Sequence, residues 1–304
     1  MTKKLILRLS NNLGNQMFMY ASAFALSKML NRELFIDNET AYSDKRNIHK
    51  FDLDKFNISA QKAPSNFMFL GSIGYIKRKS LKYLDKVKTK KNFYIEPRDI
   101  NKSTSFDKNI RNGNYNDPLF VEGHFETEKY FNMFSDDIKN EFKFKNLTHF
   151  DNNSILKDIK STESVSICIR QNRFSERKRD ITPDDEKNST IFTEDQIKYI
   201  NKSIEIIKSK INNPKFFLWS NDFKNLDSFF PKNNFTFVST NKIDNDLYLM
   251  SQSKHHIVIP SSFNWWGAWL GYSKKSLVIR PSHKHFSNFN LNNRDFWPDD
   301  WTIV

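Results

Sequence analysis

Residues 4–37 read KLILRLSNNLGNQMFMYASAFALSKMLNRELFID, and this opening stretch decides the predicted fold class. Its first six residues are mostly apolar and are typical of a short β-strand. Over residues 15–30, apolar side chains recur every three or four positions, which predicts an α-helix, and residues 34–37 form a second predicted strand. This order indicates a parallel α/β sheet. Ligands of such sheets bind where a strand ends and a helix begins, here at residues 10–16.

The rest of the chain repeats the pattern of strand, loop and helix. Residues 118–131 predict a strand, a glycine turn and a helix start, and the polar stretch 145–163 is interpreted as an interdomain connection. Thr193 and Gln196 resemble a capping box at the start of a helix. Strands are predicted at 165–169, 215–219, 235–238, 256–259 and 277–280, and helices at 192–210, 244–254 and 265–272. We therefore expect two α/β domains, 1–150 and 151–304.

Composition narrows the class of protein. Hydrophobic residues make up 38% of the chain and aromatic residues 15%, enough apolar surface for folded cores. The net charge of +13 favours anionic partners, although it also reflects a Lys- and Asn-rich composition. The single cysteine, Cys168, excludes an intramolecular disulfide, so we expect a cytoplasmic protein, and it also excludes a thiolate zinc site. The start of the chain is too poor in apolar residues for a signal peptide, and no window is long and apolar enough to span a bilayer.

Residues 77–91 form a strongly basic segment with interleaved apolar residues. The pattern predicts a weakly amphipathic helix. One interpretation is a solvated surface helix, and the other is peripheral contact with an anionic membrane on the inner face of the plasma membrane.

Three loops follow predicted strands of the second half, at residues 170–173, 220–222 and 261–263. Each places small polar groups beside a helix start, which is suited to an anion. Arg170 is suited to a diphosphate because its planar fork holds two phosphate oxygens, and the alternative is a structural salt bridge. Asp222 and Asp246 are candidates for a guanine edge or ribose hydroxyls, or else for caps and turns. Capping also explains the Asp244-Asn245-Asp246 pattern better than a metal site does.

Other residues have structural interpretations. Trp265, Trp266 and Trp269 recur at helical spacing and are expected in the core. Cys168 is expected to be a small buried residue.

Five blocks of sequence stand out: LGNQMFMYA at 13–21, FDLDKF at 51–56, VEGHF at 121–125 with EKYF at 128–131, DLYLMS at 246–251 and SSFNWWGAWL at 261–270. Together they resemble the conserved blocks of glycosyltransferase family 11, the α-1,2-fucosyltransferases. They follow the family's order and span nearly the whole chain.

The resemblance implies a GT-B-like fold, with two Rossmann-like parallel α/β domains facing a central cleft: an acceptor-side domain and a GDP-sugar-binding domain. It also implies transfer of L-fucose from GDP-β-L-fucose, with inversion, to a galactose 2-hydroxyl, without an obligatory metal. The expected acceptor belongs to a cell-surface glycan and is either lipid-linked or an oligosaccharide. By position, Arg170 corresponds to the arginine that holds the β-phosphate. The other donor-binding positions are Asn15, Gln16, Ser220 to Asp222, Asp246, Ser261, Ser262 and Phe263.

One block departs from the family. The family pattern is His-x-Arg-Arg-x-Asp, whereas this chain has Cys168, Arg170, Gln171 and Arg173 at the corresponding positions. Arg173 cannot accept a proton at working pH. Glu176 and Asp180, in a charged loop predicted over 171–190, are candidate substitutes for the base, and the alternative is that both are simply solvated.

Three other hypotheses stay open at this point. The first is a related transferase that uses another GDP-sugar or another acceptor. The second is a catalytically inactive descendant that still binds a sugar nucleotide, and the third is a nucleic-acid-binding protein. The last has only the charge in its favour, because no nucleic-acid-binding motif accompanies it, and we expect no nucleic-acid partner.

Overall fold

The computed structural model of the chain describes residues 2–43, 48–97, 105–150, 153–176, 178–286 and 295–304. The chain forms two compact units. The first consists of Met1–Lys145 with Asn293–Pro298, and the second of Asn146–Asn292 with Asp299–Val304.

Unit 1 is built on a parallel sheet. In its described residues the strand order is β3-β2-β1-β5-β4, with each neighbouring pair parallel. The helices and strands are β1 (Lys3–Arg8), α1 (Leu13–Met29), β2 (Arg32–Asp37), β3 (Gln61–Lys62), α2 (Gly71–Asp85), β4 (Lys91–Ile95), β5 (Tyr115–Glu122) and α3 (Ser135–Glu141).

Helix α1 is buried on all sides along most of its length, whereas the apolar spacing that predicted it indicated a single buried face. Nearly every residue from Leu13 to Ser27 is covered. Phe18 packs against Phe131, with ring centroids 6.3 Å apart, and against Phe296 at 6.0 Å. The segment around Phe296 thus contributes to the core of unit 1 from the far end of the sequence.

Unit 2 is built on a second parallel sheet. The strand order is β11-β10-β9-β6-β7-β8 in the part of the chain that the structure describes. Its elements are α4 (Ser154–Ser161), β6 (Glu163–Ile169), α5 (Pro183–Lys210), β7 (Pro214–Ser220), β8 (Phe235–Val238), α6 (Ile243–Ser251), β9 (His255–Ile257), α7 (Ser262–Gly271), β10 (Val278–Arg280) and β11 (Thr302–Ile303).

The sheet of unit 2 is covered on both faces. Val165 and Ile167 of β6 belong to a core cluster with Ile200 of α5, while Phe217 of β7 belongs to another with Leu249 of α6. Alternate residues of a strand point to opposite faces, so β7 supplies both clusters, with Phe216 and Leu218 in the first and Phe217 and Trp219 in the second. The three tryptophans of α7 are buried, with Trp265 and Trp266 at 0% exposure, which confirms their predicted core role.

The two parallel α/β sheets confirm the predicted fold class. Most predicted strands and helices are found within a few residues of their expected bounds. The helix predicted over 77–91 is α2, which begins six residues earlier, at Gly71, and ends at Asp85. The helix start predicted within 118–131 is a short 3-10 turn, Glu128–Tyr130.

Helix α5 begins at Pro183, nine residues before the predicted start, and the loop predicted over 171–190 is correspondingly shorter. The predicted capping box at Thr193 and Gln196 was wrong, because the box is formed by Thr182 and Asp185.

The stretch 145–163 was also only partly a connection, because it contains helix α4, whose Leu156 and Ile159 are buried. Within the described ranges, no helix is both long and apolar enough to cross a membrane.

Candidate active site

The strand order of unit 2 identifies the edge where a ligand is expected. From β6 the chain proceeds through β7 and β8 on one side, and then returns to place β9 on the other side of β6. The connection after β6 leads to β7 on one side, and the connection after β9 leads to β10 on the other side. Where the connections of two adjacent parallel strands diverge in this way, a crevice forms at the carboxyl ends of the strands. The predicted loops 170–173, 220–222 and 261–263 follow β6, β7 and β9, which are adjacent in the sheet.

Arg170, the first residue after β6, is held by the buried side chain of Gln196 on α5. The Arg170 N–H donates to Gln196 Oε1 at 2.9 Å, and Gln196 Nε2 donates to the Arg170 carbonyl at 2.9 Å. Gln196 is fully buried, so the clamp lies in the core. Sequence reasoning missed this positioning role, because a glutamine inside a helix resembles any other polar residue.

The Arg170 guanidinium forms an ion pair with Glu176, one of the two predicted candidates for the base. The two side chains are 25% and 17% exposed, so both reach solvent. Asn221 Nδ2 donates to the second carboxylate oxygen of Glu176 at 3.2 Å. Arg170 therefore forms the salt bridge predicted as its alternative role, and its partner is a carboxylate that reaches the surface.

The loop after β6 is bonded to the loop after β7. Gln171 N–H donates to Asn221 Oδ1 at 2.8 Å, and Asn221 Nδ2 donates to the Gln171 carbonyl at 3.0 Å. Gln171 Nε2 also donates to the Asp222 carbonyl at 2.7 Å, and Ser220 Oγ accepts from Asp222 N–H at 3.2 Å. The side chains of Gln171 and Asn221 therefore fix these two loops against each other.

The loop after β9 is joined to the same assembly by Arg173. Its guanidinium donates to the Pro260 carbonyl at 3.0 Å and lies over the ring of Phe192, 5.0 Å from its centroid. Arg173 therefore supports the loops, in place of the proton acceptor that the family pattern has at this position.

Helix α7 begins at Ser262, directly beyond this loop. Ser261 is its N-cap residue, in extended conformation, and its side chain makes no capping hydrogen bond. The first turn contains no acidic residue. Asn264, fully buried, accepts from Ile259 N–H at 2.7 Å and so fixes the angle between β9 and α7. A helix start of this kind attracts negative charge through its backbone dipoles.

Two predicted aspartates occupy different settings. Asp246 lies in the first turn of α6, where its Oδ1 accepts from Thr240 N–H and Thr240 Oγ1, both at 3.0 Å. Burial raises the pKa of its carboxyl above the usual range. Asp180 lies in an exposed bend before α5. The remaining predicted residue of this unit, Phe263, follows Ser262 in α7 and packs partly against the core.

Unit 1 has an equivalent edge where β1 and β5 are neighbours. Asn15 Nδ2 donates to Glu126 Oε1 at 2.7 Å, which joins the first turn of α1 to the loop after β5. Gln16 is fully buried, and its Nε2 donates to the carbonyls of Asn11 and Lys50 at 2.8 and 2.7 Å. Its Oε1 accepts from Asp52 N–H at 2.9 Å. The amide of Gln16 thus secures two loops of this unit.

Sequence reasoning missed further polar groups at this edge of unit 1. Glu96, which follows β4, accepts from the N–H groups of His124 and Phe125 at 2.7 and 2.9 Å. Burial raises the pKa of the Glu96 carboxyl, although these two hydrogen bonds oppose the shift. The His124 ring lies 3.2 Å from Asn11 Nδ2. A Cβ at Gly123 would lie 2.4 Å from Glu96 Cβ, so glycine is needed for this approach.

Cys168 packs against the core clusters of both sheet faces, and burial raises the pKa of its thiol to about 12. This agrees with a structural role. Among the described residues, no group of three or more His, Cys, Asp or Glu side chains is placed to hold a metal ion.

Comparisons with known proteins agree with this architecture. The sequence model of glycosyl transferase family 11 matches residues 75–304. The chain is 29% identical to an alpha-1,2-colitosyltransferase of Escherichia coli, covering 98% of each protein. It is 24% identical to the O-antigen biosynthesis glycosyltransferase WbnK of Escherichia coli, over 93% of this chain and 95% of that protein.

A similar fold is found in a solved structure of an Arabidopsis thaliana FUT1 mutant in complex with GDP. That structure superposes with a TM-score of 0.53 at 13% identity, covering 98% of this chain and 75% of the other. It supports the fold alone. The family match covers well over half of the sequence, including all of unit 2 from its first helix onward, and the predicted family resemblance is thereby confirmed: the chain belongs to glycosyltransferase family 11.

Proposed function

We propose that the enzyme transfers L-fucose from GDP-β-L-fucose to the 2-hydroxyl of a galactoside, with inversion, during assembly of a cell-surface glycan such as an O-antigen. The observation that carries the proposal is the hydrogen-bonded assembly at the carboxyl edge of unit 2, in which Arg170 is clamped by Gln196 beside the loops after β7 and β9. The Escherichia coli relatives support the same class of reaction.

In this proposal the diphosphate binds to Arg170 and to the start of α7, at Ser261, Ser262 and Phe263. A guanidinium holds two phosphate oxygens, and it stabilises the negative charge that grows on the leaving GDP. The ion pair between Arg170 and Glu176 shows that this guanidinium already accommodates an anionic oxygen. Diphosphate binding would replace the carboxylate of Glu176.

The nucleoside is assigned to Ser220, Asp222 and Asp246. The Asp222 and Asp246 side chains are suited to ribose hydroxyls or a guanine edge, although both also bond to the protein: Asp222 Oδ1 accepts from Lys224 N–H at 2.9 Å, and Asp246 accepts from Thr240. These bonds orient the carboxylates before a ligand arrives.

For the proton acceptor we propose Glu176, once the donor diphosphate has displaced it from Arg170, with Asp180 as the second candidate. The transition state of fucosyl transfer resembles an oxocarbenium ion, so stabilisation of the leaving group contributes more than a strong base does.

Residues 1–150 are proposed to bind the acceptor. The edge that carries Asn15, Glu96, His124 and Glu126 presents amide, imidazole and carboxylate groups, which suit a polyhydroxylated sugar. Asn15 and Gln16, which the resemblance places on the donor side, are assigned differently here: Asn15 to the acceptor edge, and Gln16 to a positioning role, since its buried amide secures the loops around this edge.

The direct test is incubation of the protein with labelled GDP-fucose and a panel of β-galactosides. We expect a fucosylated product with an α-1,2 linkage by NMR, and release of GDP. Binding of GDP without any transfer would instead indicate a catalytically inactive descendant. Transfer is expected to persist in the presence of a chelator, since we propose that no metal is obligatory.

A second candidate donor is favoured by the similarity to the colitosyltransferase. Colitose is L-fucose without its 3-hydroxyl, so the two donors differ by one hydrogen-bonding group. Competition between GDP-fucose and GDP-colitose distinguishes them: a site that hydrogen-bonds the hydroxyl rejects the deoxy sugar strongly, whereas an apolar site discriminates far less. We also propose that the reaction takes place in the cytoplasm, which a protein without an intramolecular disulfide tolerates.

A further inference from the structure

Helix α2 of unit 1 carries its large apolar side chains on the outside. Ile73 is 84% exposed and Tyr83 is 72% exposed, and Ile76 and Leu84 are exposed as well. At the helical repeat these four residues fall within an arc of about 100°. Val87, just beyond the helix, is 85% exposed and extends the same apolar surface. We call these five residues the apolar stripe.

The opposite face of α2 packs on unit 1 largely through polar groups. Arg78 and Lys82 both bond to the buried Glu122 at the end of β5, with Arg78 Nε to Glu122 Oε1 at 2.7 Å. Asp85 is buried and accepts from the N–H groups of Asn92 and Phe93 at 2.9 and 2.7 Å. The inward face therefore uses, besides Leu81, residues that normally face solvent, and the apolar stripe points away from the core of unit 1.

The charges around the apolar stripe have one sign. Lys77, Lys79, Lys86, Lys88 and Lys90 are exposed on the helix and just after it. From residue 70 to residue 91 the sequence contains a single acidic residue, Asp85, and that residue is buried. Two of these lysines lie over aromatic rings of the same helix: Lys79 Nζ is 4.6 Å from the ring centroid of Tyr75, and Lys86 Nζ is 5.8 Å from that of Tyr83.

We propose that this face of α2 binds the surface of an anionic phospholipid bilayer, with the helix in the plane of the interface. The apolar stripe would enter the boundary between headgroups and acyl chains, while the flanking lysines contact lipid phosphates. A second copy of the chain fits this surface poorly, because two such faces would bring five exposed lysines against five others. The proposal does not depend on the identity of the sugar donor or acceptor.

The test is co-sedimentation of the full chain with vesicles. We expect binding to phosphatidylcholine vesicles that contain about 30 mol% phosphatidylglycerol, little binding to phosphatidylcholine alone, and release at roughly 0.5 M salt. Replacing Lys77→Gln and Lys79→Gln together is expected to lower the partition coefficient about fivefold per lysine. Ile73→Ser with Ile76→Ser is expected to lower it at least about tenfold.

Matched controls use exposed residues elsewhere. Lys208→Gln with Lys210→Gln makes the same change in net charge at the end of α5, and Met133→Ser with Phe229→Ser removes exposed apolar side chains; neither pair should change binding. All these positions are exposed, so thermal midpoints should stay close to that of the parent protein. Equal losses in the control and α2 variants, or equal binding to neutral and anionic vesicles, would overturn the proposal.

A second measurement separates insertion from mere attraction of charge. In a Cys168→Ser background, an environment-sensitive fluorophore is attached at Val87→Cys or, as a control, at Ser209→Cys. A blue shift with anionic vesicles at the first position alone is expected. No shift at either position would contradict insertion of the apolar stripe. Self-association that Ile73→Ser abolishes in the absence of lipid would assign the surface to a second copy instead.

Discussion

The side-chain amide of Gln196 bonds both backbone groups of Arg170, each at 2.9 Å, from the centre of a helix that begins thirteen residues earlier at Pro183. A buried amide with both its oxygen and its nitrogen engaged fixes the backbone from which the Arg170 side chain extends. The pair connects the core of unit 2 to the proposed diphosphate site.

Replacing Gln196→Ala should therefore destabilise the fold and slow the reaction together. Two backbone groups of Arg170 lose their partner in a buried setting, which costs about 1–3 kcal/mol. Urea unfolding and kcat measure the two effects. Thr193→Ala in the same helix, where the hydroxyl donates only to the Ser189 carbonyl, is the control. Unchanged activity in a destabilised Gln196→Ala protein would show that Gln196 serves stability alone.

Arg170→Lys keeps the charge but loses the planar fork. If Arg170 stabilises the departing diphosphate, kcat should fall about a hundredfold or more, with a smaller change in KM for the donor. Arg179→Lys makes the same substitution at an exposed position nearby and should have little effect. Similar rates for the two variants would remove Arg170 from the proposed mechanism.

Glu176→Gln separates competition with the diphosphate from proton transfer. The ion pair with Arg170 is partly exposed, so solvent screening limits its strength to about 1 kcal/mol. Its loss should tighten GDP binding by up to about fivefold, as measured by calorimetry. If Glu176 is also the base, kcat should fall about a hundredfold.

The matched variant for this experiment is Asp180→Asn, which should leave GDP affinity unchanged. A large loss of kcat in Asp180→Asn, with normal turnover in Glu176→Gln, would transfer the proposed role of base to Asp180.

His256 predicts a pH dependence of stability. Its ring is buried within 2.7 Å of Ser166 Oγ, and burial lowers the pKa of His256 to about 3. In the unfolded chain the imidazole titrates near its ordinary value of 6.5. Between these values the unfolded chain binds one more proton. The free energy of unfolding is therefore not reduced by this group above pH 6.5. As the pH falls from 6.5 towards 3, the free energy of unfolding decreases by about 1.4 kcal/mol per pH unit.

Urea unfolding between pH 7 and pH 5 measures this slope. His256→Gln should be less stable at pH 7 and should show a smaller slope, whereas His283→Gln, at an exposed position, should reproduce the parent curve. The same slope in both variants would mean that other groups account for the acid sensitivity.

Local patterns in the sequence were enough for the fold class and for the positions of the strand-end loops. A buried parallel strand is a short apolar run, so β6, β7 and β9 and the loops behind them were found without knowing their neighbours. Helix α5 was misjudged at its start because residues 184–190 are polar and show no apolar periodicity, although the capping box at Thr182 and Asp185 and the proline at position 183 mark its beginning.

The contacts of the candidate site could not be predicted in the same way. Arg170 and Glu176, which form an ion pair, are only six residues apart in sequence. By contrast, Gln171 bonds to Asn221, fifty residues away, and Glu96 after β4 bonds to His124 after the neighbouring strand β5. Such contacts depend on strand order, which apolar periodicity does not encode. Phe296, far from α1 in sequence, packs against Phe18 for a similar reason.

The sequence by itself determined that the chain is a parallel α/β protein of glycosyltransferase family 11, because periodicity and motif blocks are properties of neighbouring residues. Only the tertiary structure decided which strand ends adjoin, that Gln196 holds Arg170, and that α2 turns Arg78 and Lys82 inward towards Glu122. A buried carboxylate is costly unless it is paired, so the inward face of α2 supplies Arg78 and Lys82 to Glu122, and Ile73 and Ile76 lie on the outer face.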